Sequence, residues 1–127
     1  MLKRRDGFTL IEIMIVILII AVLLAIAIPN FLRARETSRA RTCQANLRMI
    51  ETAKEQWAMD YRKTGTDTPP SSELVNNYIK GTGGVLPSCP ADGIYTIGNV
   101  STRPACSIGT NSTPSTTDDH IYLQSGG

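Results

Sequence analysis

RRDGFTLIEIMIVILIIAVLLAIAIPN, residues 4–30, decides how the chain is organised. Between Phe8 and Ile28, a run of 21 residues, Thr9 and Glu12 alone are polar. As a helix rising about 1.5 Å per residue, such a run spans roughly 30 Å, the thickness of a bilayer's hydrocarbon. The first quarter of the chain therefore reads as a membrane segment and not as part of a water-soluble core. Lys3, Arg4 and Arg5 precede the run and favour a cytoplasmic N-terminus with everything after the run outside. Glu12 does not fit a plain anchor, because a carboxylate in hydrocarbon is costly wherever it lacks a partner.

Composition narrows the function. The chain has 127 residues, the size of one domain, and a formal charge of +2. Residues 1–7 hold three bases and one acid, and the remainder holds ten of each. Beyond the first seven residues the side chains are balanced, which argues against nucleic acid as the main partner. A secretory signal would carry a shorter apolar region, about 7–15 residues, closed by a small-x-small site. Here Ala21, Ala25 and Ala27 lead into Pro29-Asn30 and an amphipathic segment, so the run is read as kept, with cleavage after it as the lesser alternative.

From 30 to 63 the sequence predicts a soluble amphipathic helix. Ala40, Cys43, Leu47, Ile50, Trp57 and Tyr61 make an apolar stripe. Arg39, Arg41, Arg48, Glu51, Lys54, Glu55, Asp60 and Arg62 read as a solvated face and as candidate subunit contacts, with Glu51 and Glu55 repelling and Glu51 and Lys54 attracting. Arg33, Arg35, Arg39 and Arg41 read as a juxtamembrane and intersubunit surface in preference to a DNA groove. Gly65 with Pro69 and Pro70 supplies the stop. A short helix is expected over 72–79, closed by Gly81, Gly83 and Gly84. Strands are expected at Ile94–Ile97, Ala105–Ile108 and His120–Leu123, with Gly109–Asp119 as a surface loop. That is enough for an antiparallel sheet of two or three strands packed on the helix stripe.

Three cysteines fit an exported domain. A Cys89–Cys106 disulfide is the expectation; it would enclose 18 residues and add about 3 kcal/mol by restricting the unfolded chain. Spacing does not decide the pairing. Cys43, on the apolar stripe, is read as a buried free thiol, with intermolecular pairing as the alternative. Cys89, Cys106 and His120 make a metal trio on paper but lack the compact spacing of a zinc knuckle. Asp92, Asp118 and Asp119 are the residues a calcium site would draw on. No metal and no cofactor is assigned, and with a single histidine and no activated serine or cysteine no catalytic triad is visible. Tyr78, Tyr95 and Tyr122 read as packing residues.

KRRDGFTLIEIMIVILIIAVLLAIAIPNFLRAR, residues 3–35, resembles the class III signal of type IV prepilins and of type II secretion pseudopilins. The resemblance implies that a prepilin peptidase on the cytoplasmic side cleaves between Gly7 and Phe8, and that Phe8 is then N-methylated. Gly7 suits that step, since a residue without a side chain lies extended in a narrow cleft. Cleavage creates an α-amine four residues before Glu12, and paired charges are far cheaper in apolar surroundings than one alone, so Glu12 can be matched by its own amine or by that of a neighbouring subunit. In the family, pairing of this glutamate with a neighbouring subunit's amine sets the axial register of a filament. Pro29 either kinks a continuous helix or marks a local loss of helix. The family pattern is melting between a glycine and this proline; Ala21 stands at the glycine position, which makes melting harder or shorter.

Taken to the whole chain, the resemblance implies a type IV pilin-like α+β fold. Its parts are a cleaved leader (1–7), a transmembrane and polymerisation helix (8–29), an amphipathic helix (30–63) and a small globular region (64–127). The implied function is a structural subunit, not an enzyme, of a type IV pilus or pilus-like filament. Its implied partners are copies of itself in a helical filament, the prepilin peptidase, an inner-membrane assembly platform and minor pilins or pseudopilins. It would be a single-pass inner-membrane protein before assembly and part of a periplasmic or extracellular filament afterwards. The alternatives are a type II secretion pseudopilin and a minor tip subunit acting as a binding module. Leu86-Pro-Ser-Cys-Pro-Ala-Asp-Gly-Ile-Tyr and Pro104-Ala-Cys-Ser, with His120, resemble a C-terminal signature of some pseudopilin-like proteins. So does the helix segment Asn46-Leu-Arg-Met-Ile-Glu-Thr-Ala-Lys-Glu-Gln-Trp-Ala.

Overall fold

The computed structural model describes residues 6–80, 83–110 and 117–122. It is an α+β protein built on one long helix, α1 (Leu10–Asp60), and a two-stranded antiparallel sheet of β1 (Tyr95–Thr96) and β2 (Ala105–Cys106). Compactness divides the chain into two units, residues 1–35 and 36–127, with the division inside α1.

In the first unit every described residue is exposed, Leu18 at 64% and Ile26 at 64% among them. Apolar residues occupy all sides of this helix, so no stripe singles out a face to bury. By length and composition α1 is long and apolar enough here to cross a membrane. Helix continues through Pro29 without interruption. Pro29 has no N–H to give the Ala25 carbonyl, and the bonds on either side carry the helix past it.

In the second unit the stripe behaves differently. Ala40, Cys43, Leu47, Ile50 and Trp57 are buried as the spacing predicts, joined by Gln44, Ala53 and Lys54. Ile50, Ala53 and Trp57 pack with Leu74 and Ile79, and Tyr78, Leu86, Tyr95, Ile97 and Val100 close over them. Cys43 and Leu47 pack with Cys89 and Cys106, covered by Tyr95, Ile108 and Tyr122. The three tyrosines do serve as packing residues.

Two assignments on the helix are corrected. Tyr61 is half exposed and rests its ring on Trp57 with centroids 5.9 Å apart. The helix has already ended before it, in a turn with Arg62 left-handed (φ 50°), where Lys63 N–H donates to Ala58 O and Arg62 N–H to Met59 O. This is the double hydrogen-bond arrangement that closes helices, usually with glycine at the left-handed position. The stop is thus Arg62 and not Gly65. Gly65 instead permits a close approach between two loops. A Cβ there would lie 1.9 Å from Ser101 Oγ, and the Gly65 carbonyl accepts Ser101 N–H at 2.9 Å.

Lys54 is the second correction. Predicted on the solvated face, it is fully buried. Its ammonium donates to the carbonyls of Ile97 (3.1 Å), Asn99 (3.0 Å) and Thr102, and pairs with Glu51 at 3.0 Å. Burying an ammonium is costly unless every proton finds an acceptor, and here the 97–102 loop curls round it to provide them.

The expected 72–79 helix is present as α2 (Ser71–Glu73) running into a π-helical turn at Leu74–Tyr78. Glu73 accepts the Trp57 indole N–H at 3.0 Å, and Asp60 accepts the Tyr78 hydroxyl at 2.7 Å. The strands are shorter than predicted, and the third reduces to a bridge between Gly109 and His120. Leu123, Gly81 and most of the 109–119 loop lie outside the described residues.

Candidate functional site

At the N-terminus the local chemistry starts with Thr9. Its Oγ1 accepts the backbone N–H of Glu12 at 3.3 Å, and its carbonyl accepts Ile13 N–H at 3.4 Å. Thr9 therefore caps α1, with Glu12 as the third helical residue. Thr-x-x-Glu before an apolar run is a helix-start signature, a signal in the sequence that the family motif overshadows. A carboxylate in the first turn also faces the positive end of the helix dipole. Glu12 thus has a local reason for its place as well as the assembly role expected of it. Phe8 is 81% exposed directly ahead of the cap, and a Cβ on Gly7 would meet nothing within 4 Å. No contact among the described residues requires glycine at position 7.

The other chemically distinctive place lies in the second unit. Cys43, Cys89, Cys106 and His120 are all buried, and their sulfurs and an imidazole nitrogen lie within 4.8 Å of one another. Cys89 Sγ and His120 Nδ1 are 3.4 Å apart. All three cysteines are free thiols, so the expected Cys89–Cys106 disulfide is not present in the structure. Cys43, expected to be a buried and free thiol, is both, but it is not isolated.

Each member is held by a different element. Cys43 stands on α1. Cys89 and Cys106 each open a turn whose fourth residue is left-handed: Asp92 (φ 61°) donates its N–H to Cys89 O at 3.0 Å, and Gly109 (φ 57°) donates to Cys106 O at 3.1 Å. His120 is tied to the second turn by its N–H, which donates to Gly109 O at 2.8 Å. The Gln44 amide holds the adjoining backbone by donating to Asp119 O at 2.8 Å. Gly93 is needed where the turns approach, because a Cβ there would lie 2.5 Å from Cys106 Sγ.

Burial pushes the Cys43 thiol up to about 12, with the neighbouring thiols adding to the shift and the Tyr95 hydroxyl opposing it. Tyr95 in turn accepts an N–H from Asn46 at 3.1 Å. Burial acts to raise Cys89 as well, but the backbone N–H groups of Ala91 and Gly93 and the adjacent thiols outweigh it and bring Cys89 below its ordinary value. Asp92 is exposed while Asp119 is buried, and among the described residues the acids Asp92, Asp118 and Asp119 do not converge as a metal-binding group.

Residues 2–28 match the prokaryotic N-terminal methylation motif. The type IV wide pilus major component PilA4 of Thermus thermophilus is 32% identical over 107 residues, which cover 84% of this chain and 74% of that protein. The type IV major pilin protein PilA of Myxococcus xanthus is 46% identical over 54 residues, 42% of this chain and 24% of its own length. The type II secretion system core protein G of Aeromonas hydrophila is 29% identical over 93 residues, 73% of this chain and 63% of its own. The chain thus spans less than two thirds of several relatives it matches. No solved structure matches it.

The chain belongs to the type IV pilin and type II secretion pseudopilin family. The relatives named above are a wide-pilus major component, a major pilin and a type II secretion system core protein.

Proposed function

We propose that this chain is a filament subunit of a type IV pilus or pilus-like assembly, cleaved between Gly7 and Phe8, methylated at Phe8 and polymerised through the first half of α1. The observation that carries this reading is an apolar helix exposed on every side directly behind a capped acid. In a single-pass precursor, inner-membrane lipid covers the helix; in a filament, the same helices of neighbouring subunits do. Glu12 is matched by the α-amine of Phe8 in a neighbouring copy, which offsets the cost of the charge and fixes axial register. Pro29 is the point at which the helix bends or opens on assembly. Arg33 and Arg35 lie between the apolar run and the folded unit, and Arg39 and Arg41 in the first residues of that unit, where they face headgroups before assembly and other subunits after it. The prepilin peptidase and an inner-membrane platform are the partners this sequence of events needs.

Glu12→Gln, which removes the charge and keeps the shape, tests the reading in cells that make the filament. Complete leader cleavage with loss of filaments by electron microscopy is the expected result. Filaments of unchanged number and length would overturn the role of Glu12. Intact filaments that lose only adhesion or uptake would assign the chain to a tip instead.

A further inference from the structure

We propose that Cys43, Cys89, Cys106 and His120 bind one zinc ion in a closed structural site that ties the loops of the second unit to α1. The donor set is three thiolates and an imidazole, a combination that selects zinc among the common divalent ions, and four protein ligands leave no open position for catalysis. The dimensions agree. Zn–S bonds of about 2.3 Å and a Zn–N bond of about 2.0–2.1 Å in a tetrahedron put sulfurs about 3.8 Å apart and sulfur and nitrogen about 3.5 Å apart. The observed S···N separation of 3.4 Å and the 4.8 Å limit on all pairs need small movements only.

The surroundings are also those of a metal site. The turns at Cys89 and Cys106 repeat one design, with a cysteine first and a left-handed residue fourth. In the first turn, backbone N–H groups of Ala91 and Gly93 point at the sulfur, where they would stabilise a thiolate. Gly93 leaves room for the sulfur of the second turn. The Asn46-to-Tyr95 hydrogen bond leads to Cys43 and steadies a hydroxyl against that sulfur. A disulfide between any two cysteines would use two of the four donors and leave a thiol and an imidazole packed against it with no use for either.

Such a site matters because the second unit is small. Its sheet has two residues per strand, too little to hold the 89–122 segment on its own. A metal bound by four elements from distant parts of the sequence would supply the missing cross-links, as structural zinc does in domains with little core.

The test uses the full-length chain, extracted in detergent from its native membrane without reductant or chelator. Native mass spectrometry should show one zinc per chain and no disulfide, and zinc X-ray absorption should show three sulfurs and one nitrogen at the distances above. Zinc-free protein with Cys89 bonded to Cys106 would overturn the proposal. In reduced, chelator-treated protein titrated with Co²⁺, Cys43→Ser should weaken binding by more than about 100-fold, beyond what losing a hydrogen bond to a ligand costs. His120→Cys should keep one ion per chain with four sulfurs, and it distinguishes a lost ligand from a lost fold. Unweakened binding in Cys43→Ser, or failure of a folded His120→Cys to bind, would also overturn it.

Discussion

Leu18 and Leu47 lie on the same helix and meet opposite fates: Leu18 is 64% exposed, and Leu47 is fully buried. The first is surrounded by apolar residues on every side of its helix, and no described residue covers them. The second belongs to a stripe repeating every three or four residues, with polar residues between, and loops from 74 to 122 close over that stripe. Burying a leucine is worth about 1.5–3 kcal/mol. The second half of α1 gains this within the chain. The first half gains none of it from the described residues. The contrast separates residues the described chain leaves uncovered, which the proposed function gives to assembly, from residues that serve folding, and substitutions in the two regions should fail in different ways.

The largest expected effect comes from Gly7→Val. No described neighbour limits a side chain at position 7, so the fold should be untouched. Leader removal should nonetheless be lost altogether, leaving a membrane protein with the leader attached, as mass spectrometry would show. Normal processing of the variant would remove the reason given for Gly7.

Lys54→Met moves the test to the other region. It leaves the carbonyls of Ile97, Asn99 and Thr102 and the Glu51 carboxylate without their cation. Breaking such a buried arrangement from one side should cost about 3–5 kcal/mol, read as a lower urea midpoint for the second unit, with leader cleavage unchanged. A variant as stable as the parent would mean that Lys54 does not organise the loop.

Arg62→Gly has the opposite sign. Position 62 is left-handed, which glycine adopts without strain, so the variant should gain about 1 kcal/mol or less in the same measurement.

The smallest effect concerns Asp67. The N–H of Thr64 at 2.7 Å, and then its hydroxyl at 3.1 Å, hold this carboxyl below its ordinary range. A carboxyl depressed in the folded state contributes stability above its unfolded pKa of about 4, and the contribution is lost as pH falls through the lower folded value. Stability should therefore decline slightly as pH falls below about 4, and Asp67→Asn should remove that part of the slope in urea titrations at acid pH.

Much of this division is legible in the sequence. The uncovered helix follows from an unbroken apolar run, and the buried stripe from its period; of the six predicted stripe residues, Tyr61 alone is not buried. Tyr61 escapes the pattern because the helix ends at a left-handed arginine, which no sequence rule for glycine or proline would flag. Lys54 reads as a surface residue because its acceptors are carbonyls of a loop more than forty positions away. Motif spacing likewise does not assemble the cysteines. Cys43 joins the others only because the helix stripe meets two turns that repeat one geometry. Thr9 is legible in its Thr-x-x-Glu spacing, but the resemblance draws the acid of that motif into an expected assembly role, and that expectation hides the cap.

The claim that the uncovered half of α1 is kept as an assembly surface stands or falls on intact mass with N-terminal fragmentation of the protein from its native membrane. A chain that starts at Phe8, carries one added methyl group and retains the whole apolar run is the expected result. A chain still starting at Met1 where the prepilin peptidase is active, or one starting after Ala27, would contradict it.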